Sequence, residues 1–313
     1  MIEKTKLITI LGATAVGKTQ IAVAVANELN GEIISGDSRQ VYRDMNIGTG
    51  KDIDDYTINN QKIPYHLIDI VDAGKKYNVF EYQRDFYNAY SDICQRGKQP
   101  VFCGGSGMYI EAVINGYEIP EVPANQNLRT ELDKKTDEEL IKFLSSLKPV
   151  HNKTDYDTRK RLIRAIEIEV FRKSNVIEIP KYEKINNIYF GINFDVETRR
   201  KRITNRLDYR LKNGMIEEVK YLLEKNISAN DLIYYGLEYK YITLHLTGKL
   251  SYDEMQRQLN IAIHQFAKRQ MTWFRGMERR GAKIHWLDGH LPVDEKVKFI
   301  LQTVFDEKNF SHT

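Results

Sequence analysis

Apolar residues fall in short unbroken blocks in the N-terminal third of the chain and take on helical spacing further along. Leu7-Ile8-Thr9-Ile10-Leu11 reads as a buried strand, and the Ala-rich stretch over 21–29 as a helix behind it. Glu32-Ile33-Ile34-Ser35 predicts a second strand. Tyr65-His66-Leu67-Ile68-Asp69-Ile70-Val71-Asp72 is a third short apolar run. Over 79–96 the spacing turns helical, with Phe80, Phe86, Tyr90 and Ile93 on one face and Gly97 as the stop. Pro100-Val101-Phe102-Cys103 predicts another buried strand, and a helix opens at Met108-Tyr109-Ile110. Short apolar strands alternating with helices predict an α/β fold, a parallel sheet with crossover helices.

The texture changes between Pro120 and Pro123. From 118 to 185 the chain is polar and helical with few strand signals, so it reads as a helical insertion. Ile188-Tyr189-Phe190-Gly191-Ile192 restores strand character and rejoins the sheet. The remainder is mostly helical, and Ala267-Lys268-Arg269-Gln270-Met271-Thr272-Trp273-Phe274-Arg275 closes the last clear helix. Ile284-His285-Trp286-Leu287 is a short strand candidate, and 291–313 reads as a polar tail. The expected organisation is a core of 1–117 and 186–290 interrupted by an insertion over 118–185.

Composition narrows the class. Among 313 residues, 42% are hydrophobic, enough for a sizeable core, and no run is long enough to span a bilayer. Cys94 and Cys103 give neither a disulfide framework nor zinc-ligand spacing. The chain passes from Met1-Ile2-Glu3-Lys4 into its first strand, so we expect no signal peptide, no membrane contact and a cytoplasmic location. The net charge of +4 is modest, but basic residues cluster at 159–164, 199–210 and 268–275. With Tyr209, Tyr235, Trp273 and Phe274 interleaved, such clusters suit a single-stranded nucleic-acid loop. They would equally serve as solvated helix faces.

The strongest motif is Gly12-x-x-x-x-Gly17-Lys18-Thr19, set between the first strand and the first helix. This is the context of a P-loop, so the fold class predicted is P-loop nucleoside-triphosphatase-like. The backbone of Gly12, Ala13, Thr14, Ala15, Val16, Gly17, Lys18 and Thr19 would form a nest of N–H donors for a di- or triphosphate. Lys18 adds a cation, and the Thr19 hydroxyl is placed to hold Mg²⁺. The loop does not reveal which phosphate compound it holds. No strand is followed by a guanine-reading Asn-Lys-x-Asp, and Leu67-Ile68-Asp69-Ile70 lacks the Glu of an ATPase motor. Asp37 follows the second strand on the sheet edge where the loop opens. It is an acid–base candidate, and capping a helix or standing behind Mg²⁺ remain alternatives. Ser106, in the turn Gly104-Gly105-Ser106-Gly107, either binds substrate or is an ordinary N-cap.

Six blocks in order, GATAVGKT, GDSRQVYRDMNIGTGKD, YHLIDIVD, PVFCGGSGMYI, RKRLIRAIEI and AKRQMTWFR, resemble the signature blocks of the tRNA dimethylallyltransferases, also called tRNA isopentenyltransferases. The resemblance spans about residues 6–287. It implies that the P-loop holds the diphosphate of dimethylallyl diphosphate rather than the tail of ATP, with Mg²⁺. The acceptor would be the N6 amine of adenosine 37, in the anticodon stem-loop of tRNA. It implies a catalytic role for Asp37, as general base, and for Ser106. It implies tRNA contacts from Asp37, Ser38, Arg39 and Gln40, and from Lys160, Arg161, Leu162, Ile163 and Arg164. A monomer is expected. Ala13 stands where the family usually has Pro, Val16 where it has Ser, Ser106 where it has Thr, and Arg210 where Met is expected. Runner-up readings are an adenylate isopentenyltransferase acting on a free nucleotide, a P-loop small-molecule kinase, and a tRNA-binding protein without catalysis.

Overall fold

The computed structural model describes residues 6–58, 60–149, 157–176 and 178–309. Strand β1 (Leu7–Gly12) is buried throughout and runs into helix α1 (Lys18–Glu28). β2 (Gly31–Ser35) is also fully buried. A 3-10 turn (Ile53–Tyr56) and a small hairpin, β3 (Thr57–Ile58) with β4 (Gln61–Lys62), precede the short β5 (Tyr65–His66). The apolar run at 65–72 stops being a strand after His66, because Leu67 and Asp69 turn left-handed, with φ of 61° and 57°. α2 (Val79–Gln95) starts in a capping box between Asn78 and Glu81. β6 (Gln99–Gly104) and α3 (Gly107–Ile114) follow.

Tyr117–Tyr182 forms a compact unit of its own. It holds α4 (Gln126–Leu132), α5 (Asp137–Leu147) and α6 (Arg159–Ser174). Their core is Leu132, Leu140, Leu144, Leu162, Ile163, Ala165 and Ile166. Buried Glu167 ties it together: it accepts from Arg129 Nε at 2.9 Å, from the Asn125 N–H at 2.6 Å, and from Arg164. Burial alone would push that carboxyl up, but these donors outweigh it and hold it below its usual range.

The larger unit resumes with β7 (Asn187–Asn193), then α7 (Val196–Lys212), α8 (Met215–Glu224), α9 (Ala229–Tyr235), α10 (Leu237–Leu246) and α11 (Tyr252–Arg279). β8 (Ile284–Asp288) and α12 (Val293–Asn309) end the described chain. The polar tail expected over 291–313 is therefore corrected through residue 309. Val297, Ile300 and Val304 are buried on one face of α12, which packs on α1. That periodicity was present in the sequence, diluted by the Asp, Glu and Lys residues around it.

The sheet order is β5-β2-β6-β1-β7-β8, with every neighbouring pair parallel. Central parallel strands are covered on both faces, which is why β1, β2 and β6 read as unbroken apolar runs. The order also decides where chemistry can sit. β6 lies between β2 and β1, so the turn after β6 is flanked by the loop after β1 and the segment after β2. All of these open at the carboxyl ends of their strands, the ligand edge of such sheets. No helix among the described residues is long and apolar enough to cross a membrane.

Candidate active site

The loop after β1 reaches α1 through Gly17, which is left-handed at φ 81° and supplies no side-chain cap. The first N–H groups of α1 are thus left for an anion, with the positive end of the helix dipole behind them. Lys18 folds back to donate to the Ala13 carbonyl at 2.7 Å. Burial lowers its pKa to about 8, with Arg206 adding to the effect and Asp37 opposing it. Gln270 of α11 fixes the loop: its Oε1 accepts the Thr14 N–H and its Nε2 donates to the Gly105 carbonyl, both at 2.9 Å. One buried side chain thereby locks the two glycine turns together. Arg202 of α7 donates to the Ala15 carbonyl at 2.9 Å.

Asp37 is set by a local turn. Its Oδ1 accepts the Arg39 N–H at 2.9 Å, and its own N–H donates to Ser35 Oγ at 3.3 Å. Ser35 Oγ donates to Gln40 Oε1 at 2.7 Å, and Gln40 Nε2 donates to the Gly50 carbonyl at 2.9 Å. Gln40 is thus buried and committed to positioning a neighbouring loop. Arg39 donates to the Tyr234 carbonyl at 3.2 Å, with its guanidinium 5.3 Å from the Tyr234 ring centre. Ser106 occupies the N-cap position of α3, but its hydroxyl makes no cap bond. It accepts the Ser38 N–H at 3.4 Å instead, tying the turn after β6 to the segment after β2.

Across from these turns, Glu218 of α8 holds the loop at 46–50. It accepts the N–H groups of Asn46, Ile47 and Gly48 at 2.8, 2.7 and 3.0 Å, and the Tyr239 hydroxyl at 2.7 Å. Lys51, fully buried, anchors the next position through the Tyr42 carbonyl, Asn46 Oδ1 at 3.1 Å and Asp69. Burial lowers its pKa, and Asp69 counters the shift.

Two cavities meet in this unit. The first, about 450 Å³, is lined by residues 14–20 of the phosphate loop together with Asp37, Gly105, Arg206 and Gln270. The second, about 330 Å³, takes in Ser38, Arg39, Ser106, Tyr235, Tyr239 and Arg269. Thr14, Asp37, Thr49, Arg206 and Phe266 line both. A polar anion pocket and a more aromatic pocket thus share a wall on which a carboxylate stands. Thr19 lines the first cavity, but the described residues contain no group of three or more His, Cys, Asp or Glu able to hold a metal. Mg²⁺ usually keeps waters and substrate phosphates as most of its ligands, and one hydroxyl fits that mode.

The structure corrects parts of the expected tRNA segment. Leu162 and Ile163 are core residues of the helical unit, 1% and 8% exposed, and their side chains cannot reach a nucleic acid. Arg164 donates to the Val122 carbonyl at 2.8 Å and pairs with buried Glu167, so it braces the unit while 38% of its side chain stays exposed. Lys160 and Arg161 are on the exposed face of α6. Arg161 pairs there with Asp157. We expect Lys160→Ala with Arg161→Ala to weaken tRNA binding and flatten its salt dependence by about one to two counterions, read as the slope of log affinity against log salt. An unchanged slope would make these residues ordinary solvated surface. Arg164→Ala should instead lower the melting temperature. Arg210 does leave the set of outward-facing basic residues: its side chain is only 12% exposed and pairs with Asp52.

An α/β sheet with a glycine loop at a helix N-terminus and an adjoining aromatic pocket marks a protein built to bind a phosphate compound, and comparison with known proteins resolves its class. The family model described as IPP transferase matches residues 40–277, and one described as isopentenyl transferase matches 5–65. The chain belongs to the IPP transferase family. It is 60% identical over 296 residues to a tRNA dimethylallyltransferase of Bacteroides fragilis, covering 95% of this chain and 97% of that one. It superposes on the crystal structure of a tRNA isopentenylpyrophosphate transferase from Bacillus halodurans with a TM-score of 0.72. Identity there is 31%, with 99% of this chain and 100% of that one covered. A eukaryotic dimethylallyltransferase, solved acting on tRNA, shares the fold at a TM-score of 0.71 and 24% identity, over 91% of this chain and 74% of that one.

Proposed function

We propose that this protein transfers the dimethylallyl group of dimethylallyl diphosphate to the N6 amine of adenosine 37, beside the anticodon of tRNA. The observation that carries this reading is the shared wall: Asp37 lines both the phosphate-loop cavity and the aromatic one. A donor's leaving group in one pocket and an acceptor base in the other would meet at that carboxylate. Residues 12–19, with Lys18 and Arg206, take the diphosphate. The allylic carbon–oxygen bond breaks, the N6–carbon bond forms, the departing electrons go to diphosphate and the N6 proton passes to Asp37. An aromatic amine is a weak nucleophile, so proton removal as the bond forms matters. Charge growing on the leaving diphosphate is stabilised by backbone N–H groups already in place. Mg²⁺, bound through Thr19 and the diphosphate, would add Lewis-acid stabilisation of that charge.

The base must leave the anticodon stack, at a cost of a few kcal/mol. Phe266, 38% exposed, offers a flat surface to receive it, with Tyr235 and Tyr239 packed into the wall of the same cavity. Ser38, Arg39 and the Ser106 hydroxyl stand at the same pocket. Lys160 and Arg161 supply charge for tRNA phosphates. A reaction of this kind would run in the cytoplasm, where tRNA is held. Offering dimethylallyl diphosphate with tRNA, with AMP, or ATP with a metabolite panel tests the reading. Transfer to tRNA alone is expected; transfer to AMP would make the chain an adenylate prenyltransferase, and phosphoryl transfer a kinase.

A further inference from the structure

Asp52 lines the phosphate cavity with its carboxylate bound to two arginines rather than to backbone. Arg206 Nη2 stands 3.3 Å from Asp52 Oδ2, and Arg210 Nη2 stands 3.0 and 3.1 Å from its two oxygens. The carboxylate cannot drift far. It follows Lys51, whose ammonium is bonded inside the core, and its own backbone is left-handed at φ 42°. Gly50, two residues ahead, lies in the left-handed region that favours glycine. Its φ is 67°, and a Cβ would lie 2.2 Å from Arg206 Nη2 and 2.6 Å from Arg210 Nη2, so the guanidinium pair packs directly over bare backbone.

Arg206 is also part of the phosphate cavity. It lines it with Lys18 and Thr19, and its Nη1 is 3.4 Å from Thr14 Oγ1. Burial pushes the Arg206 pKa down to about 10, and the charge of Arg210 pushes the same way. Arg210 differs: it lines the aromatic cavity and not the phosphate one.

We propose that Asp52 is a built-in counter-ion for Arg206, exchanged for the diphosphate when donor binds and returned when product leaves, with Arg210 retaining Asp52 meanwhile. This rests on the diphosphate reading of the phosphate loop given above. Asp52 then competes with diphosphate for one arginine, and Arg210 acts through Asp52 as a positioning residue. Removing the competitor raises affinity for the leaving group. Asn tolerates the left-handed backbone, so Asp52→Asn removes charge without unseating the loop.

The test is calorimetric titration of inorganic diphosphate into the full chain. We expect Asp52→Asn to bind diphosphate roughly 2- to 5-fold more tightly, the usual worth of a partly exposed ion pair, since the Arg206 and Asp52 side chains are 32% and 46% exposed. Arg210→Met should weaken binding, since Asp52 then rests on Arg206 alone. In the Asp52→Asn background the same substitution should have no effect. A gain in affinity cannot come from misfolding, so the sign is diagnostic. Equal or weaker binding by Asp52→Asn overturns the proposal, as does an Arg210→Met loss that persists in the double variant. If the wild-type chain binds diphosphate no better than Lys18→Ala does, the phosphate-loop reading itself fails and takes this inference with it.

Discussion

Asp37→Asn should lower the single-turnover rate of prenyl transfer by roughly 10²–10⁴ with both substrates saturating, the range associated with loss of a positioned acid–base group. Three features combine. Asp37 follows the buried strand β2, at the carboxyl edge of the sheet. Its orientation is set by the Arg39 N–H and the Ser35 hydroxyl, not by solvent. It lines both cavities, so it is the carboxylate within reach of an amine attacking across their shared wall. Asparagine keeps the bond from Arg39 and the shape of the turn, and loses only the ability to take a proton. Binding of tRNA should change little, because phosphate contacts supply most of the affinity. A rate within a few-fold of wild type would mean that Asp37 merely orients the base.

Lys18→Ala should weaken diphosphate binding by roughly 10- to 100-fold, the worth of one charge-assisted contact, and reduce turnover at least as much. The structure adds a pH signature. With a pKa near 8, Lys18 is protonated below that pH and loses its charge above it. Its cause is burial first, and an arriving diphosphate would raise the pKa again, so binding takes up a proton. Affinity measured by calorimetry should therefore fall between pH 7 and pH 9 in the wild type. In Lys18→Ala that component of the pH dependence should vanish. A wild-type affinity flat across this range would show that the ammonium does not engage the ligand.

The parts of the site that the sequence made legible are local ones. Gly12, Gly17, Lys18 and Thr19 lie within one turn, and their spacing alone demands a strand before and a helix after. Asp37 was legible because the strand ahead of it is an unbroken apolar run. Gln270 was not: its bond to Thr14 spans 256 residues, and nothing in the spacing of α11 marks one glutamine among its polar neighbours. Asp52 and Arg206 were hidden for the same reason, since their pairing joins a loop to a helix 154 residues away. Leu162 and Ile163 show the converse error. They sit inside a motif block, but on the face of α6 that builds its own core. A block marks a segment, while helical period decides which of its side chains are free to touch a ligand. α12 was missed although Val297, Ile300 and Val304 carry the right period, because charge around them resembled a solvated tail. Ser106 answered neither alternative in full: it stands at an N-cap position, yet its hydroxyl serves the Ser38 backbone.

The central claim is that two pockets bring a prenyl diphosphate and one adenosine of tRNA together at Asp37. Nucleoside mass spectrometry of tRNA incubated with the protein, dimethylallyl diphosphate and Mg²⁺ tests it most directly. We expect N6-dimethylallyladenosine, mapped by nuclease fragments to position 37 and lost with Asp37→Asn. Unmodified adenosine at position 37 after incubation with active-site concentrations of wild-type protein, on tRNA that lacks the modification beforehand, would contradict it.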